Sequence, residues 1–249
     1  MITMNIGITG GKGFIGSHVA SSLKGIRGAN VFLFDRPGGN ILNKRLIEKF
    51  VRGKDVIIHA AAVNRGTDAE VVRGNIEGIL NLLSAVSKLQ KKPKIIFLSS
   101  VQAETDTLYG VSKRLCESIL EHASRVYKFP VSIFRLTNVF GEGSKPFYNT
   151  AVATFCYQVA RGEKLEVNKK GDPLTLVYVG DVVSAISEEV FKKRKELFFF
   201  KKIYTKNIIT VPALAKLITS FKNLKNQKNL KLKFHKDLYK TYLSFVYGK

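Results

Sequence analysis

An apolar run that breaks at glycines 10, 13 and 16 constrains this chain more than any other stretch. Met4-Asn5-Ile6-Gly7-Ile8-Thr9 has strand character, and apolar residues resume at helical spacing as Ile15, Val19 and Leu23. The segment therefore reads as strand, tight turn and helix. Glycines at this spacing let backbone approach a pyrophosphate, and the N–H groups and positive dipole end of the following helix attract its charge. Gly10, Gly13, Phe14, Ile15 and Gly16 are the expected dinucleotide contacts.

A glycine turn alone occurs wherever strand and helix pack closely, so its surroundings matter. A second apolar strand, Val31-Phe32-Leu33-Phe34, ends in Asp35, which lies 19 residues beyond Gly16. That is near the roughly 20 at which an acidic side chain binds an adenosine ribose. A third strand, Val56-Ile57-Ile58, runs into His59-Ala60-Ala61-Ala62, whose small residues allow a cofactor to pack against the strand end. His59 need not titrate there. Strand and helix patterns alternate to about residue 140, which predicts an α/β fold with a Rossmann-type, doubly wound parallel sheet over 1–140. Residues 141–249 read as a smaller C-terminal, substrate-binding lobe packed on it.

Within that frame, helices are expected near 41–51, 75–86, 109–122, 150–161 and 210–221, with Pro212 in a first turn. Strands are expected at 94–98, 131–136, 165–167, 174–179 and 198–200, a turn at 170–173, and a helix capped by Asp181. Residues 64–73 are polar, 142–149 read as a loop, and the lysine and asparagine run 222–233 reads as an exposed loop or helix edge.

The strand at 94–98 delivers Ser99 and Ser100 to its C-terminal end, where open parallel sheets place their ligands. Tyr109 and Lys113 follow on a helix, four residues apart and so on one face. An ammonium beside a phenol favours the phenolate, so Lys113 is expected to draw the Tyr109 pKa down toward working pH. Tyr109 then becomes a proton donor to a carbonyl, with the Ser100 hydroxyl on the same oxygen and Ser99 as the adjacent alternative.

The bulk numbers exclude several classes. At 45% hydrophobic and 10% aromatic residues the chain is not disordered, and no apolar stretch approaches the roughly 20 residues of a membrane span. The N-terminus enters a strand directly, without signal-peptide layout, so a cytoplasmic location is expected. Cys116 and Cys156 read as buried reduced thiols, and no metal site is expected. The formal charge of +22 is uneven: over 191–249, 16 Lys plus Arg stand against 2 acidic residues, a difference of +14. Such a field draws nucleic acid, an anionic membrane or a diphosphate. No nucleic-acid motif accompanies it, so a lysine-rich solvated surface is the reading.

Taken together, these residues resemble the extended short-chain dehydrogenase/reductases. The matching features are Thr9-Gly10-x-x-Gly13-x-x-Gly16, Asp55 to Ala62, Asn75, Ser99-Ser100, Tyr109-x-x-x-Lys113, Arg135 to Gly141, and Tyr178 to Val183. Within that family the stretches Ser99 to Ala103, Lys145 to Asn149, Ala153 to Tyr157 and Lys236 to Ser244 are similar to the reductase domain of CapF-type capsular polysaccharide enzymes. The resemblance implies reduction of the 4-keto group of a UDP-linked 2-acetamido-2,6-dideoxy-hexos-4-ulose. Tyr109 would be the acid, Lys113 the holder of the nicotinamide ribose, Ser100 the carbonyl's orienter and Asn75 a support for the cofactor site. Asn138, Lys145, Tyr148, Asn149 and Arg161 fall where the family contacts its nucleotide sugar.

For the cofactor, Asp35 favours a free ribose 2′-hydroxyl and NAD(H), while Arg36 and Lys12 suit the 2′-phosphate of NADP(H), which the resemblance favours. It also implies a homodimer through the Tyr109 helix. CapF-type enzymes carry a C-terminal metal-binding cupin domain that epimerises the sugar first, whereas this sequence stops at Lys249. The expectation is that it lacks that activity, and that either a separate epimerase supplies the substrate or the substrate differs. Two other readings stand beside the reductase: an epimerase with tightly bound NAD, and a noncatalytic dinucleotide-binding protein with a basic partner surface.

Overall fold

The computed structural model describes residues 3–148, 150–167, 173–224 and 227–248. Along the chain run β1 (Met4–Thr9), α1 (Phe14–Lys24), β2 (Ala29–Phe34), α2 (Lys44–Val51), β3 (Val56–His59), α3 (Asp68–Val72), α4 (Gly78–Ser87), β4 (Lys94–Ser100), α5 (Leu108–Tyr127) and β5 (Val131–Leu136). There follow β6 (Asn138–Phe140), α6 (Ala151–Arg161), β7 (Leu174–Tyr178), α7 (Val179–Phe191), β8 (Phe198–Ile203), β9 (Ile208–Ile209), α8 (Val211–Ser220) and α9 (Lys233–Tyr247).

Two compact units form. The first comprises residues 1–136 and 183–203. Its six strands are all parallel in the order β2-β1-β3-β4-β5-β8. β3 is buried along its whole length and β4 nearly so, which is why both read as continuous Val, Ile and Phe runs and not as alternating patterns. Ile57, Ile95, Phe97 and Ile133 from the strands, Leu82 and Val86 from α4, and Cys116 and Leu120 from α5 pack into one core. The strand order reverses direction at β1, and that switch point is where a sheet of this kind opens a ligand crevice beyond its strand ends.

The second unit comprises residues 137–182 and 204–249. β6 and β7 pair in parallel and β7 pairs antiparallel with β9. Phe140, Phe155, Leu176, Leu214, Ile218, Phe221 and Leu238 form its core. The units are discontinuous in sequence, in place of the single break after 140 that the pattern predicts, because β8 returns to pair with β5.

Other expectations change locally. Within the polar stretch 64–73, Thr67 and Glu70 make a reciprocal capping box that starts α3. Leu165 to Val167 form no strand, since Leu165 and Val167 pack onto the second unit's core instead of joining a ladder. Asp181 caps no helix; α7 begins at the buried Val179, and the Asp181 carboxylate accepts from Lys233 at 2.9 Å. Residues 170–172 of the expected turn lie outside the described residues. The 222–233 run contains short 3-10 turns, and α9 follows it, unannounced by any cap. No helix among the described residues is long and apolar enough to cross a membrane.

Candidate active site

The glycine turn is a cradle built from backbone. Gly10 has φ +70°, and a Cβ there would lie 2.6 Å from the Ala61 nitrogen, so only glycine lets the turn touch the end of β3. At Gly16 a Cβ would overlap the Gly10 carbonyl oxygen. Gly13 is the N-cap of α1 and brings no side-chain cap, and no acidic residue stands in the first turn. The N–H groups of Phe14, Ile15 and Gly16 thus open the helix unclaimed by a side chain, which is the arrangement an anion needs.

Beside the cradle lies a cavity of about 560 Å³ whose walls include Thr9, Gly10, Asp35, Arg36, Ala61 and Val63. The Asp35 Oδ2 atom is buried and has no hydrogen-bond partner. A buried carboxylate oxygen without a donor is costly, and a ribose hydroxyl from a dinucleotide would supply one. The cradle and this orphan acceptor fit the adenosine half of a dinucleotide. Arg65 and Arg73 also line this cavity and were not singled out from the sequence, because neither sits on a recognisable motif. Lys12 does not line this cavity.

Two residues expected at the cofactor have side chains engaged within the protein. The His59 ring is 2% exposed, its Nδ1 lies 2.7 Å from the Thr9 hydroxyl, and it stacks on Phe97. Burial and the nearby Lys113 charge push its pKa down to about 3, so it is a neutral packing group and turns no side chain to the cavity. Ala60 and Ala61 instead meet the Gly10 backbone. Asn75 uses its whole amide within the protein: its Oδ1 accepts from Val63 N at 2.9 Å, and its Nδ2 donates to Val63 O at 2.9 Å and Ser112 Oγ at 3.0 Å. It ties the loop after β3 to the helix that carries Lys113.

The pleat of β4 gives the two serines different surroundings. Ser99 is buried, its hydroxyl unpartnered, whereas the half-buried Ser100 ends the strand and accepts from Gln102 N at 3.1 Å. After Ser100 a 3-10 turn, Val101–Glu104, abuts α5 so closely that a Cβ at Gly110 would overlap the Gln102 carbonyl. Thr107 caps α5 by accepting from Gly110 N at 3.1 Å. These contacts fix the first turn of α5, and Tyr109 with it, against the turn that Ser100 begins.

Lys113 is 2% exposed, donates to Leu98 O at 2.7 Å and stands 4.3 Å from the centre of the Phe97 ring. Burial pushes its pKa down to about 8. The expected effect on Tyr109 is not found: burial pushes that phenol up to about 12, and Lys113, turned to the Leu98 carbonyl 6.0 Å from the tyrosine ring centre, does not offset it. One turn beyond Lys113, the buried Glu117 accepts from Arg135 Nε at 2.8 Å and from its NH2, pinning α5 to β5. An acid and a base each set in an apolar element was the available sequence signal for this pair.

In the second unit, Arg161 ends α6 with its guanidinium 3.8 Å from the centre of the Tyr157 ring. Lys145 lies 5.6 Å from the centre of the exposed Tyr148 ring. Asn138, on β6, donates to Thr175 O at 3.4 Å. Asn149 lies outside the described residues.

A parallel sheet with a glycine cradle at its switch point, an orphan acidic acceptor after β2 and a Tyr-Lys helix after β4 defines a dinucleotide-binding α/β fold of the NAD(P) type. The chain belongs to the NAD dependent epimerase/dehydratase family, whose model matches residues 6–194. It is 34% identical, over 98% of its length, to a UDP-2-acetamido-2,6-beta-L-arabino-hexul-4-ose reductase of Pseudomonas aeruginosa. Among solved structures it resembles the capsular polysaccharide assembling protein CapF of Staphylococcus aureus, with 33% identity over 98% of this chain and a TM-score of 0.80. It spans 65% of the length of each of these two. The UDP-glucose 4-epimerase of Thermotoga maritima, crystallised with UDP-glucose, shares the fold at 24% identity, with a TM-score of 0.84 over 97% of this chain and 98% of that one.

Proposed function

We propose that this chain reduces the 4-keto group of a UDP-linked 2-acetamido-2,6-dideoxy-hexosulose, as a step in making a surface polysaccharide precursor, and that NADPH is its reductant. The observation that carries the reading is Tyr109, a half-buried phenol whose pKa desolvation pushes up to about 12, on the same helix face as the buried Lys113. Similarity over nearly the whole chain to a reductase of such a sugar supports the same reading.

The bound reduced nicotinamide supplies one hydrogen and its electron pair to the carbonyl carbon. Tyr109 gives its proton to the ketone oxygen, and the Ser100 hydroxyl at the end of β4 orients that oxygen. Lys113 holds the ribose and, once turned from Leu98 O toward the tyrosine, stabilises the phenolate left behind. Asp35 takes an adenosine ribose hydroxyl. In the second unit, Arg161, Lys145, Tyr148, Asn138 and Asn149 bind the nucleotide sugar, the cations meeting its diphosphate. Leu108, Val111 and Leu115 form one exposed apolar stripe on α5, which supports pairing of two copies along that helix.

Oxidation of NADPH and NADH, followed at the nicotinamide absorbance with a UDP-4-keto-6-deoxy-N-acetylhexosamine generated in situ, tests the reading. Turnover by the wild type and none by Tyr109→Phe with cofactor binding intact is the expected result. A folded protein that binds cofactor but turns over with neither reductant removes this substrate. Copurification of stoichiometric NAD would then favour the epimerase.

A further inference from the structure

Arg135 stands second from the end of β5, in register with Ser99 of β4, and its guanidinium is held from three further elements. Its Nε and NH2 donate to the two oxygens of Glu117 on α5, and its NH1 donates at 3.0 Å to Glu104 in the turn after Ser100. The centre of the Phe200 ring, on β8, lies 4.9 Å from the guanidinium carbon, and Lys202 of the same strand donates to Glu104 at 3.0 Å. A planar fork on both oxygens of a carboxylate fixes the geometry of each partner. Tyr109 and Lys113 ride on the helix held in this way, yet the proton transfer proposed above gives Arg135 no part.

What the arginine holds away matters more. Glu117 is buried one turn beyond Lys113 on α5, at the spacing where an acid and a base ordinarily pair. Among the described residues these two make no ion pair: the ammonium donates to Leu98 O at 2.7 Å, and the carboxylate is taken by Arg135. The other titratable groups around Lys113 are uncharged near neutral pH. Burial keeps the Tyr109 phenol at about 12 and the Cys116 thiol at about 11, and His59, at the end of β3, is neutral above about 3. The remaining charges belong to the clamp itself, Arg135, Glu104 and Lys202. Glu117 is therefore the competitor for the ammonium, and one bidentate arginine occupies both of its oxygens.

We propose that Arg135 is a positioning residue for Lys113: by taking both oxygens of Glu117 it keeps that carboxylate off the ammonium, which stays turned to the end of β4. Without the arginine, a buried carboxylate left unpaired draws the ammonium back by one turn, away from the strand end where a cofactor ribose meets it. Through Glu104 the same guanidinium ties the turn that Ser100 begins to the helix that carries Tyr109. The importance of Lys113 to the cofactor rests on the reading proposed above, whereas the contest for its ammonium does not.

Carbon-13 NMR of the lysine Cε atoms in the full chain, without cofactor or substrate, follows the ammonium itself, and Lys113→Met assigns its signal. In the wild type Lys113 should titrate near 8. Arg135→Gln should make it bind its proton about tenfold more tightly or more, and Arg135→Gln with Glu117→Gln should cancel that rise. Arg135→Lys keeps the charge and loses the fork, so it should give part of the rise, whereas an effect of the arginine's charge alone would give none. A midpoint unmoved by Arg135→Lys, or a rise in Arg135→Gln that outlasts the added Glu117→Gln, overturns the assignment. The lysine variant decides even where Arg135→Gln does not fold. Affinity for NADPH, titrated by fluorescence on the same variants, should fall and recover in step. Titration as expected with NADPH affinity constant throughout would instead remove Lys113 from the cofactor site.

Discussion

The two ends of the cofactor site are prepared in opposite ways. At the glycine turn the groups that meet a ligand are left open: α1 starts without a side-chain cap and Asp35 holds an oxygen with no donor. Around Tyr109 several polar groups already have internal partners, with Lys113 on Leu98 O, Asn75 on Val63 and Ser112, and Ser100 accepting from Gln102 N, while the buried Ser99 hydroxyl has none. On the proposed reading the open groups at the adenosine end take a ligand as they stand, while Lys113 must leave Leu98 O to reach one. Binding energy from the first end can drive the change at the second.

Breaking the catalytic end alone should give the largest effect. Tyr109→Phe removes the proton donor and should lower kcat by about 10³-fold with cofactor affinity unchanged, read by steady-state kinetics alongside fluorescence titration. Breaking the open end should do the reverse. Gly16→Ala places a Cβ on the Gly10 carbonyl, so cofactor binding should be lost and stability should fall by about 2 kcal/mol in chemical denaturation.

Lys113 gives a subtler test. Its pKa is lowered from 10.5 to about 8, so between these values the unfolded chain binds the extra proton and stability from this group rises with pH. Below about 8 the buried charge is a burden. Lys113→Met should raise stability at pH 7 by on the order of 1 kcal/mol, with the gain shrinking toward pH 10, in thermal melts across that range. An equal gain at every pH would mean that the side chain's packing, not its charge, sets the effect. The smallest effect belongs to His59: with a pKa near 3 it stays neutral, and His59→Gln should leave the pH profile between 5 and 8 without a changed inflection.

The open end was legible in the sequence because its function is backbone geometry, and backbone geometry demands glycine at fixed spacing. Tyr109, Lys113 and Ser100 were legible as a set because a helix and a strand end impose their own periodicity. What escaped depends on distances between segments. The Lys113 bond to Leu98 O, which reverses the expected shift at Tyr109, joins α5 to β4 across residues with no motif between them. Arg65 and Arg73 line one cavity from either side of α3, and each alone looks like surface charge. The same holds for α9, whose apolar residues are interrupted by Lys236 and Lys240 and whose start at Lys233 has no capping side chain.

The late return of β8 has a consequence for how the protein is made. During synthesis β5 emerges with one edge of the sheet unpaired, and residues 137–197 must be added before its partner exists. Since chains grow by about 5–20 residues each second, that edge stays open for seconds on the ribosome, a long time beside the microseconds to milliseconds of local folding. Val131, Ile133 and Phe134 lie on that strand, so the nascent first unit presents an apolar, pairing-competent edge while the second is being translated. A stall or a proteolytic cut anywhere in 137–197 would leave a cradle that has its glycines but lacks the strand that closes its sheet.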